Sequence, residues 1–293
     1  MSMNYERASS RISEADARQY AEGIERVNAF VNSLREEGKL PVEFSKPEVA
    51  IGRQPLIETP AAVVTLVSQD RQLRDAFSPF VQEYRDARVH TPELVNHTWQ
   101  NIWVEIGRVV DFTYQVPSCD RTTKELAKLQ KENKAVLLLP DDIYTPEGLV
   151  RLGKAFPLMR SWATNLEHAS EISYGSNKGG SIDIEMSLDA PYRTSRGYNQ
   201  KELVAKIAAD KRAGQRLPTY FVGSEFSQLL TGHYFDENTC SRLPESFCEG
   251  DMLNARFDSD GEASVDAIWD PEDQYPSLGG RSEGVSNRFL KKA

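Results

Sequence analysis

Residues 135–139 read Ala-Val-Leu-Leu-Leu (AVLLL), an uninterrupted apolar run that separates two parts of different character. A Lys-rich helical pattern precedes the run and Pro140 follows it, which is typical of a short buried strand. Before the run, apolar residues recur at helical spacing; after it, strand patterns alternate with helix patterns. The sequence therefore predicts an α+β fold, with a helical N-terminal half followed by a mixed α/β half.

The predicted organisation of the chain has four segments. We expect a disordered N-terminus over residues 1–12, a helical domain over 13–133, a mixed α/β domain over 134–275 and a loose tail over 276–293. Ser13 is expected to cap the first amphipathic helix. The tail is rich in Gly and Ser, which favour loops.

Threonine followed by proline predicts the starts of three helices. The Thr hydroxyl can cap the helix, and the missing N–H of Pro costs nothing in the first turn. The three dipeptides are Thr59-Pro60, Thr91-Pro92 and Thr145-Pro146. Residues 92–114 carry the strongest helical pattern, with Trp99 and Trp103 on its apolar stripe. We expect this helix to be central to the core and both Trp side chains to anchor it.

The second half contains patterns for strands and a hairpin. Residues 181–188 (SIDIEMSL) alternate apolar and polar side chains and predict a half-buried strand. Residues 219–222 predict another strand, followed by a helix capped by Ser224. Near the C-terminus, residues 252–257 and 263–269 flank a segment containing Asp-Gly, which predicts a C-terminal β-hairpin.

Composition limits the class of protein. The chain has 293 residues, of which 39% are hydrophobic and 27% charged, so we expect a folded protein with a sizeable core. No apolar run approaches the roughly 20 residues of a membrane-spanning helix, and the first residues show no secretory signal. The low and odd number of cysteines favours a reducing compartment. The sequence thus predicts a soluble cytoplasmic protein without a membrane partner.

Charge is distributed unevenly along the chain. The formal net charge is −9, and residues 236–273 alone contain 12 acidic and two basic residues. Residues 193–216 contain seven basic and two acidic residues. The simplest interpretation is two solvated faces that offset each other. The functional alternative is a non-catalytic binding protein whose acidic segment 236–273 meets a basic protein surface; nucleic acid is not an expected partner of that segment, because phosphate binding draws on Lys and Arg.

A second function is suggested by two carboxylates on one predicted strand. Asp183 and Glu185 are two residues apart, so they project from the same face and could hold Mg²⁺ or Mn²⁺. The phrase IDIEMSLD (182–189) resembles the first motif of acidic-residue exonucleases with an RNase-H-like fold. The resemblance covers these eight residues and implies metal-dependent phosphodiester hydrolysis, with the basic 193–216 segment holding the phosphate backbone. Without a metal, the pair is expected to form the solvated face of an edge strand.

Two further acidic residues follow the AVLLL strand. Asp141 and Asp142 lie where open α/β sheets bind ligands, so they are additional candidate metal ligands. The alternative is an ordinary polar turn. Residues 175–181 (GSNKGGS) contain the residue types of a phosphate-binding loop but precede a strand, so we expect a mobile connection.

Overall fold

The computed structural model defines most of the chain after residue 59. The described residues are 60–159, 161–267 and 270–285. The predicted disordered segment 1–12 and the predicted helix beginning at Ser13 lie outside the described residues.

The chain divides into two compact units, Met1–Arg71 and Gln72–Ala293. Of the first unit, the structure describes only residues 60–71, which form the beginning of a helix. The architecture below is that of the second unit. Independent folding of the segments 13–133 and 134–275 stays a prediction.

Helices dominate the first part of the described chain. In chain order they are α1 (Pro60–Asp86), α2 (Pro92–Val110), α3 (Thr123–Lys131), α4 (Pro146–Ala155), α5 (Leu166–Ala169), α6 (Gln200–Ala209) and α7 (Leu217–Thr231). Short 3₁₀ turns cover Asp141–Tyr144, Pro157–Met159 and Trp162–Thr164. The capping predictions for α2 and α4 are confirmed, because the hydroxyls of Thr91 and Thr145 accept hydrogen bonds from backbone N–H groups of the first turn.

Nine strands in the described chain form two sheets. They are β1 (Lys134–Leu139), β2 (Ile172–Tyr174), β3 (Gly180–Glu185), β4 (Ala213–Gly214), β5 (Cys240–Cys248), β6 (Asp251–Phe257), β7 (Ala263–Asp266), β8 (Leu278–Gly280) and β9 (Ser282–Val285). The first sheet has the order β1-β3-β9-β4, and the second has the order β2-β5-β6-β7, with β8 parallel to β5. The predicted α+β class is confirmed.

The edge of the first sheet is covered by α2. Trp99 Nε1 donates to the carbonyl of Val136 at 2.9 Å, and Trp103 Nε1 donates to the carbonyl of Leu138 at 2.7 Å. Trp99 and Trp103 are four residues apart, a rise of about 6.0 Å along a helix, and Val136 and Leu138 are two residues apart, about 6.6 Å along a strand. The two indoles are therefore spaced to meet alternate carbonyls of β1. Both side chains are buried, as predicted. The indoles therefore satisfy backbone groups that an edge strand otherwise leaves open.

The second sheet contains the predicted hairpin. Strands β6 and β7 pair antiparallel, and Asp258 N–H donates to the carbonyl of Glu262 across the turn at 2.9 Å. Gly261 has φ of 94°, which favours glycine at that turn position. Within the described ranges, no helix is long and apolar enough to cross a membrane.

The predicted strand at residues 219–222 is wrong, because these residues lie inside α7. The sequence Thr-Tyr-Phe-Val has high strand propensity, but the residues from Leu217 to Ser227 are all buried. A helix that is surrounded by protein does not show an amphipathic pattern. Burial therefore overrides propensity here. The predicted cap Ser224 is also wrong, because this residue lies inside the helix, which ends at Gly232.

The predicted loose tail is also wrong for residues 278–285. This segment forms β8 in the second sheet and β9 in the interior of the first sheet. Its sequence shows no apolar alternation and reads Leu-Gly-Gly-Arg-Ser-Glu-Gly-Val. Two of the side chains that this segment buries, Arg281 and Glu283, are charged, so the usual strand pattern is absent. Residues 286–293 lie outside the described residues.

Candidate functional site

Asp183 lies on an interior strand rather than on an edge. Strand β3 pairs with β1 on one side and with β9 on the other. The Asp183 residue is only 4% exposed. The predicted solvated face of an edge strand is therefore wrong at Asp183, although Glu185, at the end of the strand, is half-buried.

Two arginines hold the Asp183 carboxylate. Arg121 Nη2 lies 2.8 Å from Oδ1, and Arg212 Nη1 lies 2.6 Å from Oδ2. A Cβ atom at position 284 would overlap the same carboxylate, so Gly284 of β9 leaves room for it. Both oxygens of Asp183 thus have charged partners, and the two guanidinium groups repel a metal cation at this carboxylate.

Replacing Asp183 with Asn is expected to destabilise the fold by about 1.5–3 kcal/mol, the scale of hydrogen bonds to charged groups. The matched variant Glu185→Gln is expected to change stability by less than about 0.5 kcal/mol, because that side chain is more exposed. Urea unfolding of both variants tests the difference. A rise in wild-type Tm with Mn²⁺ that disappears in Asp183→Asn would instead support metal ligation.

The other two candidate ligands follow the end of β1, and the carboxylate of Asp141 is engaged there. Lys178 Nζ lies 2.8 Å from Asp141 Oδ2, and Gly179 N–H donates to Oδ1 at 2.7 Å. Although partial burial opposes the effect, these contacts lower the pKa of Asp141. The Asp142 carbonyl accepts from the Thr145 hydroxyl in the turn before α4. In the described ranges, no group of three or more His, Cys, Asp or Glu side chains is placed to hold a metal ion.

A buried arginine ties the loop 175–179 to β9. Arg216 Nε lies 2.6 Å from Glu283 Oε1, and both side chains are almost completely buried. Arg216 Nη1 also donates to the carbonyls of Ser176 and Lys178. These bonds anchor a loop that the sequence predicts to be a mobile connection.

The same strand region carries a second buried ion pair. Arg281 Nε lies 2.8 Å from Asp236 Oδ2, and neither side chain is more than 1% exposed. Thr239 and Tyr220 donate further hydrogen bonds to this carboxylate. Asp236 therefore belongs to the interior, unlike the solvated acidic face predicted for segment 236–273.

Exposed carboxylates of segment 236–273 gather at the β5–β6 turn. Glu249 and Gly250 form this turn with φ of 52° and 99°, as a type I′ turn requires. Glu249 and Asp251 are exposed. Pairing of β2 with β5 brings Ile172 opposite Cys248, so Glu171 reaches the same end of the sheet. Burial raises the pKa of Cys248, and the three nearby carboxylates add to the rise. We call Glu171, Glu249 and Asp251 the acidic turn.

One carboxylate beside the loop 175–179 has a different environment. Glu245 is half-buried, and among the described residues its side chain has no hydrogen-bond or ion-pair partner. Burial raises the pKa of Glu245, the Glu283 carboxylate adds to the rise, and Arg216 opposes it. Sequence reasoning did not single out Glu245, because only the fold places it beside β9.

Comparisons of the chain with protein-family models, with curated proteins and with solved structures find no match. The chemistry of the described residues is therefore the basis for a functional proposal.

Proposed function

We propose that this protein is a non-catalytic binding protein whose acidic segment 236–273 docks a basic protein surface. The observation that carries the proposal is the acidic turn, where exposed carboxylates converge at one end of the second sheet. His168 Nδ1 lies 3.5 Å from Glu171, and this His is charged only when protonated. Local negative potential of this kind steers a basic partner and fixes its orientation.

The ion pairs of the basic segment 193–216 support the proposal. Five of its seven basic residues pair with carboxylates outside the acidic segment. These pairs are Arg193–Asp189, Arg196–Glu202, Lys206–Asp210, Arg212–Asp183 and Arg216–Glu283. These five basic side chains therefore do not neutralise the carboxylates of the acidic segment 236–273 through direct ion pairs.

The candidate hydrolase function receives less support from the geometry. Asp183, its principal ligand, is held by two arginines, and Arg212 of the proposed phosphate-binding segment is one of them. Gly180 is three residues from Asp183 along β3, about 10 Å of strand, and it pairs with Leu139 at the end of β1. Asp141 follows beyond that pair. The two carboxylate pairs therefore do not lie at one end of the strand.

Charge reversal of the acidic turn is expected to weaken binding of a basic probe. The probe is a fluorescent oligolysine peptide, and fluorescence anisotropy of the full chain measures its Kd at low and physiological ionic strength. Glu249→Lys/Asp251→Lys should raise the Kd at least about tenfold, because like charges then face each other. Binding should also weaken with added salt, since the charges are exposed.

The control is Glu83→Lys/Asp86→Lys on the last turn of α1. Both carboxylates are more than half exposed, and the change in net charge is the same. This variant should bind the probe within about twofold of the wild type if the acidic turn is the docking site, because its two carboxylates are not part of that site. An equal loss in both variants, or no binding by the wild type, would contradict the proposal.

A further inference from the structure

An irregularity in β5 determines where the Glu245 side chain lies. The β5–β6 register shifts between Leu243 and Phe247, so Glu245 occupies a β-bulge. Bulges redirect side chains and are frequent beside functional sites. Gly175 N–H donates to the Glu245 carbonyl at 3.1 Å, and a Cβ at position 175 would overlap Glu245 Oε2. The carboxylate thus lies directly against the backbone of the loop 175–179.

The charges around Glu245 do not neutralise it. Glu283 reaches it from β9, and Arg216 reaches it from the residue before α7. Arg216 Nε bonds Glu283, and its Nη1 bonds two loop carbonyls. Arg216 is therefore bound to Glu283 and to the loop, and it acts on Glu245 only at longer range. A half-buried charge without a direct partner is uncommon in folded proteins and needs a physical explanation.

We propose that Glu245 is the anchor of the docking surface and binds the ammonium or guanidinium group of a Lys or Arg side chain from the basic partner. This inference rests on the proposed function and identifies the residue that receives a cationic side chain. Glu249 of the acidic turn is the residue after β5 and four residues beyond Glu245, so the chain separates the two by at most about 14 Å. An extended basic segment of about four residues spans that distance, so one peptide can contact both places.

The unbound carboxylate is expected to reduce stability at neutral pH. Its pKa is raised in the folded state, so the folded protein binds the proton more tightly than the unfolded chain does. Relative to Glu245→Gln, the wild type therefore loses stability as the pH rises through the folded-state pKa. The variant should have a higher Tm than the wild type at neutral pH, and the difference should vanish below about pH 4, near the unfolded-state value. An ionised side chain that lowers the stability of the fold is expected at positions that serve binding or catalysis.

The direct test is an NMR titration of the full chain with n-butylammonium chloride, observed at the Gly175 amide. Sodium chloride at equal ionic strength is the salt control, and Glu83→Gln, at an exposed carboxylate outside the acidic turn, is the control variant. The Gly175 resonance should shift with n-butylammonium in the wild type and in Glu83→Gln, but not in Glu245→Gln. Oligolysine should bind Glu245→Gln at least about tenfold more weakly than the wild type, the scale of one hydrogen-bonded charge pair.

The possible failures are distinct. If charge reversal of the acidic turn weakens oligolysine binding but Glu245→Gln does not, and n-butylammonium leaves Gly175 unchanged, the docking surface stands and the anchor is overturned. If oligolysine does not bind but n-butylammonium shifts Gly175 through Glu245, the cation site stands and the docking surface is overturned. A lower Tm for Glu245→Gln at neutral pH would also count against the anchor, because Glu245 would then be stabilising the fold.

Discussion

Replacing Arg281 with Met is expected to lower the free energy of unfolding by about 3–5 kcal/mol, the cost of leaving one partner of a buried ion pair uncompensated. Asp236 is 0% exposed and accepts from Arg281 through both carboxylate oxygens. The guanidinium also donates to the carbonyls of Ser187 and Leu188 and lies 3.9 Å from the centroid of the Phe235 ring. Met fills similar volume but supplies none of these donors.

The location of Arg281 increases the expected effect. It is the single residue between β8 in the second sheet and β9 in the first sheet. Arg281 N–H and C=O also bond Arg242 and Gln215, so the backbone is fixed on both sides. Loss of the ion pair should therefore weaken the segment that joins the two sheets.

A double-mutant cycle separates the ion pair from packing. Urea unfolding is measured for Arg281→Met, Asp236→Asn and the double variant. The double variant should be less destabilised than the sum of the single variants, because it leaves no unpaired charge. Arg108→Met is the control: Arg108 pairs with Glu105 but is 69% exposed, so its loss should cost about 0–1 kcal/mol. A similar, small cost for Arg281→Met would show that the buried pair contributes little.

Elements with strong local signals could be predicted from the sequence. Thr91 and Thr145 specify their helices through capping, and Asp-Gly specifies the turn between β6 and β7. The AVLLL run became β1 because few other structures bury five consecutive apolar residues beside a proline. The caps and the turn are defined by interactions between residues close in sequence, whereas β1 is marked by its own composition although its partner β3 is distant in the chain.

The elements that could not be predicted depend on distant partners. Arg281 binds Asp236, 45 residues earlier, and Glu283 binds Arg216, 67 residues earlier. Charged residues are expected to be exposed unless they are paired, and the sequence does not reveal which distant residues form such pairs. For the same reason, Asp183 resembled a solvated or metal-binding carboxylate, whereas Arg121 lies 62 residues away and neutralises it. The half-buried Glu245 is recognisable only after β5, β9 and the loop 175–179 are brought together.

Replacing Trp103 with Ala is expected to destabilise the protein by about 3–5 kcal/mol, the range for truncating a buried aromatic side chain. Trp103 is 1% exposed and packs against Tyr114 with ring centroids 4.8 Å apart. Its Nε1 bonds the Leu138 carbonyl on the edge of the first sheet. The substitution therefore removes packing from the core, and it leaves the Leu138 carbonyl of the edge strand without its donor.

Trp103→Phe separates these two contributions, because it keeps an aromatic ring and removes the indole N–H. We expect it to cost about 1–3 kcal/mol, the penalty for a buried acceptor that loses its partner. Trp162→Phe is the comparison at the edge of the second sheet, where Nε1 donates to the Val265 carbonyl and the side chain is only half-buried. Water can reach that site more easily, so the cost should be smaller. Equal stability of wild type and Trp103→Phe in urea would show that α2 covers β1 by packing alone, whereas an ordered series of Ala, Phe and Trp would show that the indole bond helps to close the sheet edge.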